Sequence, residues 1–435
     1  MTVTQSSTGR EVVIFGGVRT PFVKAGTELQ DVTAVDLGRV VAEETMMRLE
    51  APFSAVDEVI FGNVAQPADA ANVARVIALR SGFPITTPAH TVCRNCASGM
   101  EAVARAYDQI RLGSSELVLA GGTESMSNIP LLFPKSYSRK LFSLARARSL
   151  RGKLAGAARF RPRDLKPVIA IEEGLTDPVC GLNMGETAER LARDFGITRE
   201  EQDRFALWSH RRTAAAMKAG LMAEEIVPVF RPPDFRPLVE DVGPRPHQSL
   251  EALAALRPYF DRRFGTVTVG NSCPVTDGAC ALLVGSAERA KELGIAPLAR
   301  IRSYAFMGCP PDRMGLGPVY AAPRALEAAG LRLRDMDRIE INEAFAAQVL
   351  ANLQAFSSAE FAREHLGRGE AVGEIDPQKL NVNGGAIALG HPVGTSGTRL
   401  ILTLALELRR KNLALGLATL CVGGGQGGAM VIERT

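Results

Sequence analysis

One arrangement occurs twice in this 435-residue chain, and few folds can accommodate it twice. Each copy has a short strand-like run headed by aspartate, Asp57 to Phe61 (DEVIF) and Asp337 to Ile341 (DRIEI). Each then has a helix opening on Ser-Gly, at Ser98-Gly99 and Ser396-Gly397, and a strand ending in glycines, at Gly121-Gly122 and Gly423-Gly424-Gly425. The interval from Ser-Gly to the glycine run is 23 residues in the first copy and 27 in the second. Two βαβ halves of common origin are the simplest reading, because parallel strands need a crossover helix. The fold class is α/β with an internal duplication.

The remaining elements fit this frame. Met100, Val103, Ala104, Tyr107, Ile110 and Arg111 recur at helical spacing, so Ser98 to Leu112 is the strongest predicted helix, with Gly113 as its cap. Further helices are expected at Ala34 to Leu49, Asn72 to Arg80, Ala322 to Ala329 and Thr398 to Arg410. Strands are expected at Glu11 to Gly16, Glu58 to Phe61 and Glu116 to Ala120. The boundaries that follow are an N-terminal half of residues 1–128 plus 251–286, an insertion at 129–250 and a C-terminal half at 287–435. The insertion carries helical runs (Glu186 to Phe195, Thr198 to Lys218) and a proline-rich tract, Pro228 to Pro246; Gly265 to Val284 returns to strand-like sequence.

Composition narrows the class. With 46% hydrophobic and 23% charged residues the chain is globular rather than disordered. Its 42 glycines gather in clusters without a collagen period. Leu413 to Ile432 has no charge, but GGGQGG interrupts it, so two buried strands are expected rather than a membrane span. The first residues show no secretory signal, and seven irregularly spaced cysteines point to a reducing, cytoplasmic setting.

The net charge of +4 is unevenly placed: eleven basic residues and one acid, Asp164, fall between Leu131 and Ala170. Leucines interleave, with Leu141, Leu144, Leu150 and Leu154 near one helical face. Such a stretch reads as a solvated loop, or as a surface for anionic lipid or phosphorylated ligands. No nucleic-acid fold or stacking motif accompanies it, so no nucleic-acid partner is expected.

Candidate chemistry gathers at the glycine-rich turns. Cys96 sits at the start of the strongest helix, where the dipole favours thiolate. Cys93-x-x-Cys96 also invites a redox or zinc reading, although there is no second such pair and His90 is the only nearby histidine. His391, bracketed by Gly390 and Pro392, is the best general-base candidate; His210, His247 and His365 lie in charged or proline-rich stretches expected at the surface. Cys421 ends a strand beside Gly423, where backbone N–H groups can approach a ligand as oxyanion donors. Asn342 follows another strand end and offers a polar contact.

The motifs NCASGM (Asn95 to Met100), NEAF (Asn342 to Phe345), GGAIALGHPVGTSG (Gly384 to Gly397) and CVGGGQG (Cys421 to Gly427) together resemble the thiolases. RTPF at Arg19, AGGTESMS at Ala120, MGETAE at Met184 and GTVTVGNS at Gly265 support this in the same order. The basic segment and FAREHLGR at Phe361 favour the 3-ketoacyl-CoA thiolase β-subunits of the trifunctional fatty-acid-oxidising enzyme. The resemblance implies a five-layered αβαβα thiolase fold with an inserted loop domain. It implies coenzyme A as co-substrate, with no metal or permanently bound cofactor. Cys96 is the implied nucleophile, His391 the base and Cys421 the acid. The enolate oxyanion hole is His391 with an Asn342-held water, and the N–H groups of Cys96 and Gly423 serve the thioester oxygen. Met184, Ser272, Cys273 and Phe345 are implied to line the CoA arm.

Three positions depart from the trifunctional branch: Asn342 stands in place of a histidine, Cys273 in place of a serine or threonine, and Cys93 in place of a polar residue. The last raises a reversible Cys93–Cys96 disulfide as an expectation. Implied partners are acyl-CoA substrates, a second copy of the chain, an α-subunit with hydratase and dehydrogenase activity, and a membrane surface met through 131–170. A biosynthetic acetoacetyl-CoA thiolase is the runner-up. A carrier-protein ketosynthase would not be expected to keep Cys421 in CVGGGQG, and a chemically complete site argues against an idle scaffold subunit.

Overall fold

The computed structural model describes residues 9–435; the N-terminal segment 1–8, part of the stretch read as lacking an export signal, lies outside the described residues. Two compact units are present, one running to Asn128 and resuming over Asp177–Thr435, the other Ile129–Thr176.

In the larger unit the main sheet comprises β1 (Val12–Arg19), β2 (Val23–Lys24), β3 (Glu58–Gly62), β4 (Ala89–Val92), β5 (Leu117–Glu124), β6 (Thr276–Ser286), β7 (Ala299–Gly308), β8 (Arg338–Ile341), β9 (Leu415–Val422) and β10 (Gln426–Arg434). Its order is β8-β9-β10-β7-β1-β6-β5-β3-β4, with β2 on β6. The order is nearly a mirror about the β1–β7 junction. Going outward on one side, β7, β10, β9 and β8 repeat β1, β6, β5 and β3 on the other, and the parallel pair of each half (β8–β9, β3–β5) lies outermost but for β4. The two aspartates that head the duplicated motif do the same work. Asp57 Oδ2 accepts the Glu116 and Leu117 amides, and Asp337 Oδ2 accepts the Ala414 and Leu415 amides. Each carboxylate pins the start of the strand that carries a glycine run.

The helices that matter for the site are α1 (Ala34–Arg48), α2 (Val73–Arg80), α3 (Ser98–Leu112), α4 (Met184–Asp194), α5 (Arg199–Lys218), α6 (Gly317–Ala329), α7 (Ala346–Ser357) and α8 (Ser396–Arg410). Strand alternation distributes them into layers, because successive side chains point to opposite faces. On β6, Cys280, Leu282 and Val284 join the core around α3 and α8, while Ala279, Ala281 and Leu283 join the core under α1 and α2. On β10, Met430 and Ile432 enter the first of these cores, and Ala429 and Val431 enter a third, under α6 and α7. Helices, sheet half, the α3–α8 pair, sheet half and helices give the five layers. Leu413 to Ile432 is mostly a buried β9–β10 hairpin, as its composition requires.

Two expectations about elements fail. Gly265 to Val275 is irregular, and only Thr276–Ser286 is strand: Pro274 has no N–H for a ladder. Helix α6 starts five residues earlier than its hydrophobic pattern indicated, because Pro318 stands in its first turn, where proline is tolerated, and Pro323 lies inside it.

The middle layer brings the two halves together. The α3 and α8 N-termini cross at their Ser-Gly pairs, and a Cβ on Gly99 would lie 2.5 Å from Thr398 Oγ1 and 2.9 Å from Gly394 O. One on Gly397 would overlap the Met100 backbone. Glycine at both positions allows this approach.

In the smaller unit, Leu131–Leu132 pairs with Val168–Ile169. The basic stretch forms two helices, Lys135–Arg146 and Leu150–Ala157, broken where Ser149 Oγ caps the second by accepting the Gly152 N–H. Its leucines therefore do not share one continuous helical face. Tyr137 stacks on Phe133 and meets Phe160 edge-on, while Asp164, the segment's single acid, is buried against Lys140 Nζ at 2.5 Å. Leu131, Leu132, Phe133, Phe142, Leu150 and Leu154 are exposed. Among the described residues no helix is long and apolar enough to cross a membrane.

Candidate active site

Cys96 lies in the turn between β4 and α3. Asn95, at φ 43°, takes the left-handed conformation that asparagine tolerates better than most residues. Ser98 Oγ locks the turn, accepting the Arg94 N–H at 2.9 Å and donating to Asn95 O at 2.7 Å. Asn95 Nδ2 donates across to Gly423 O at 2.7 Å, tying the turn to the glycine run after β9. Burial pushes the Cys96 thiol up, and the N–H groups of Gly423 and of Cys96 itself, set against the sulfur, pull it down. Burial prevails over the dipole that the sequence emphasised, so the resting group is a thiol.

His391 has the geometry of a base. Its ring is buried, and Nδ1 lies 2.6 Å from Ser396 Oγ. Ser396 has one hydroxyl proton, which it donates to Pro392 O at 3.1 Å, so its oxygen accepts from Nδ1–H. That tautomer leaves the Nε2 lone pair free, and Nε2 is buried with no partner among the described residues. Burial first, and the Arg399 charge second, bring the imidazolium down to about 4, so the ring is a neutral base at neutral pH. Arg399 is itself wholly buried, bonded to Glu340 at 3.2 Å, with Nε and Nη2 unpartnered among the described residues. The His391 N–H donates to Thr276 Oγ1 at 3.1 Å, and His391 bridges to Val275.

Cys421, near the end of β9, is buried, and burial together with Cys96, Cys273 and Cys309 holds its thiol well above the ordinary value. A thiol kept protonated in this way is suited to donating a proton. Asn342 is wholly buried after β8, and neither Oδ1 nor Nδ2 finds a partner among the described residues. Such an amide is costly unless a ligand or water engages it.

The four implied contacts to the CoA arm sit around these groups. Met184 opens α4, and a Cβ on Gly423 would lie 3.4 Å from its Sδ. Phe345 precedes α7 and packs edge-on against Phe260 at 6.0 Å. The Ser272 hydroxyl is committed to Thr268 O at 2.7 Å, and Cys273 is held by its N–H on Ala344 O, with burial pushing its thiol up to about 12. A groove of about 740 Å³ runs past α4 and Phe260, lined also by Arg262 and Arg263, which make no ion pair among the described residues.

Three bracing residues were missed from sequence. Ser396 fixes the tautomer of His391. Glu343 is a buried carboxylate that accepts from Ser209, Asn381 and the Ile387 N–H, and so binds the strand end after β8 to the turn before His391. Glu124, at the end of β5, accepts the N–H groups of Val64, Ala65 and Gly394, and burial raises its carboxyl to about 7. Glu343 and Glu124 lie inside the motifs NEAF and GGTES, but only their burial reveals the role. His210 is also misplaced by sequence: it is buried on α5, accepts the Arg245 N–H at 3.3 Å and is brought down to about 4 by burial, whereas His247 and His365 are exposed. All seven cysteines are free.

Residues 12–288 match the model of the thiolase N-terminal domain, and residues 295–434 match that of the thiolase C-terminal domain. The chain belongs to the thiolase family. It is 45% identical to a 3-ketoacyl-CoA thiolase of Escherichia coli (strain 55989 / EAEC) over 98% of this chain and 97% of that one. Among solved structures, Bacillus anthracis acetyl-CoA acetyltransferase superposes with a TM-score of 0.87 at 39% identity, covering 99% of this chain and 100% of the other. Human mitochondrial 3-ketoacyl-CoA thiolase in complex with CoA gives 0.84 at 38% identity, covering 98% of each chain. Cys96 and Cys421 are thiols held protonated, His391 is a neutral imidazole with Nε2 unpartnered, and Asn342 is a buried amide with neither polar atom partnered among the described residues.

Proposed function

We propose that the chain is a 3-ketoacyl-CoA thiolase (acetyl-CoA C-acyltransferase), which cleaves 3-ketoacyl-CoA with free CoA during fatty-acid β-oxidation. The observation that carries this reading is that the chain holds a neutral, tautomer-fixed His391 with Nε2 unoccupied together with two thiols that ordinary pH leaves protonated, the half-buried Cys96 and the buried Cys421.

The reaction follows in two halves. His391 Nε2 takes the Cys96 proton as the sulfur bonds to the 3-keto carbon. The tetrahedral adduct collapses, the bond between C2 and C3 breaks, and Cys421 protonates C2 of the departing enolate to release acetyl-CoA. The acyl group is left on Cys96 as a thioester, which divides one hard step into two easier ones. Free CoA then attacks that thioester, its thiol proton passing to Cys421. The Cys96 sulfur leaves, and His391 returns its proton. The N–H groups of Cys96 and Gly423 receive the thioester oxyanion, and His391 with an Asn342-held water receives the enolate oxygen. Met184, Phe345, Ser272 and Cys273 line the pantetheine arm, Ser272 through its backbone because its hydroxyl is spent. Arg262 and Arg263, unpaired beside the groove, meet the CoA phosphates.

The acetyl-CoA acetyltransferase relative favours a second reading, thiolysis or synthesis of acetoacetyl-CoA alone. CoA-dependent loss of substrate at C4 and C16 separates the two: turnover at C16 supports the first reading, and activity confined to C4 supports the second.

The division into an N-terminal half (1–128 plus 251–286) interrupted by an insertion at 129–250 and a C-terminal half at 287–435 belongs to the same reading, as do a dimer or higher oligomer and an α-subunit partner. So does a cytoplasmic location with peripheral membrane contact through 131–170, motivated by that segment's charge and exposed apolar residues. Flotation with anionic liposomes tests the last point: binding at physiological salt that is lost on deleting the segment supports it, and no binding by the full chain rejects it.

A further inference from the structure

Two residues that the mechanism leaves unused join the halves directly at the nucleophile. Arg94, two positions before Cys96, extends Nη1 to Gln426 Oε1 at 3.0 Å, at the start of β10 just beyond the glycine run. Its Nε donates to Glu101 Oε2 at 2.7 Å, and its guanidinium lies 4.3 Å from the centroid of the Phe306 ring on β7. Glu101 is engaged in turn by Arg105, which pairs with Asp108, so α3 holds Arg94 through a chain of ion pairs along one face. A planar cation gripped on one edge and stacked on one face has little freedom, and arginine suits this better than lysine. The strap therefore links a rigid helix of the first half to the turn of the second half that presents the Gly423 N–H to the sulfur.

Resting on the thiolase reading above, we propose that Arg94 and Gln426 are positioning residues that set the gap between Cys96 Sγ and the Gly423 N–H. They touch no reacting atom and act through the two turns. Asn95 Nδ2 on Gly423 O is a second tie across the same gap, so loss of the strap should loosen the site without unfolding it.

The test uses Arg94→Met, Gln426→Leu and the double variant in the full chain, with Arg94→Lys as the conservative control. Each single change is expected to lower kcat for thiolysis about tenfold, with KM for both substrates within about twofold. The double variant should be no slower than the worse single one, because both remove the same strap. Arg94→Lys should keep the Glu101 pair and the wild-type Tm but recover little of the rate. Rate of alkylation of Cys96 by iodoacetamide against pH is the independent readout: its apparent pKa should rise in both single variants. Unchanged kcat and an unchanged alkylation profile would overturn the proposal, as would losses that multiply in the double variant. If the wild-type chain shows no thiolysis, the functional reading fails, and the alkylation profile still decides the strap.

Discussion

His391 is the residue whose behaviour most depends on burial. Its neutral form is kept by desolvation and by Arg399, so it should serve as base far below the ordinary imidazole pKa. The same shift carries a stability consequence. A histidine at about 4 when folded and 6.5 when unfolded binds fewer protons in the native state between those values, so stability falls as pH drops through that window. His391→Asn should therefore lose less stability than wild type between pH 7 and pH 5, by about 2 kcal/mol, measured by urea unfolding at both pH values. An equal loss in both would contradict the buried neutral ring. Ser396→Ala removes the acceptor that fixes the tautomer, and kcat should fall about tenfold to a hundredfold with KM little changed. Asn342→Ala, which removes the buried amide with two unpartnered atoms, should lower kcat by a factor of about 10² or more, while Cys96→Ala should abolish thiolysis. These four side chains differed in legibility. Cys96, His391 and Asn342 stand in motifs with recognisable neighbours, whereas Ser396 shows its role only when a hydroxyl proton is traced to Pro392 O. The direction of the Cys96 shift was not legible either, since the helix dipole is readable from sequence and the depth of burial is not.

At the scale of elements, the α3–α8 crossing decides whether the halves of the site meet. Alanine at Gly99 must push against Thr398 and the Gly394 carbonyl, and alanine at Gly397 against the Met100 backbone. Either substitution should cost about 1–3 kcal/mol and lower kcat, because the displaced groups belong to the turns carrying Cys96 and His391. Thermal unfolding and thiolysis measured together would check this, and a wild-type Tm in both variants would contradict the packing. Element positions were largely readable. α3 runs over Ser98–Leu112 as its apolar spacing indicated, since hydrophobic periodicity and a glycine cap are local signals. Boundaries failed where proline intervened, at α6 and before β6, and where Ser149 cut the basic stretch into two helices.

For the whole molecule, duplication is the organising fact. It was legible because each half repeats the same aspartate, the same Ser-Gly helix start and a glycine run. The structure gives the aspartates and the Ser-Gly pairs the same tasks, whereas Gly121-Gly122 lie inside β5 and Gly423 to Gly425 form the turn after β9. The mirrored sheet order was not legible, because it depends on antiparallel pairings between strands more than a hundred residues apart, such as β1 with β6 and β5 with β6. Nor did sequence reveal that the buried carboxylates Glu343 and Glu124 would brace the active-site turns, since only burial and amide contacts distinguish them from surface acids. The account's central claim is that this assembly makes an acyl thioester on Cys96. The most direct measurement is to mix the purified chain with a long-chain 3-ketoacyl-CoA in the absence of free CoA and map the adduct by peptide mass spectrometry. The account predicts stoichiometric acylation of Cys96, release of one acetyl-CoA per site and discharge of the adduct on adding CoA. Acetyl-CoA release with Cys96 unmodified, or an adduct on another residue that CoA discharges, would contradict it.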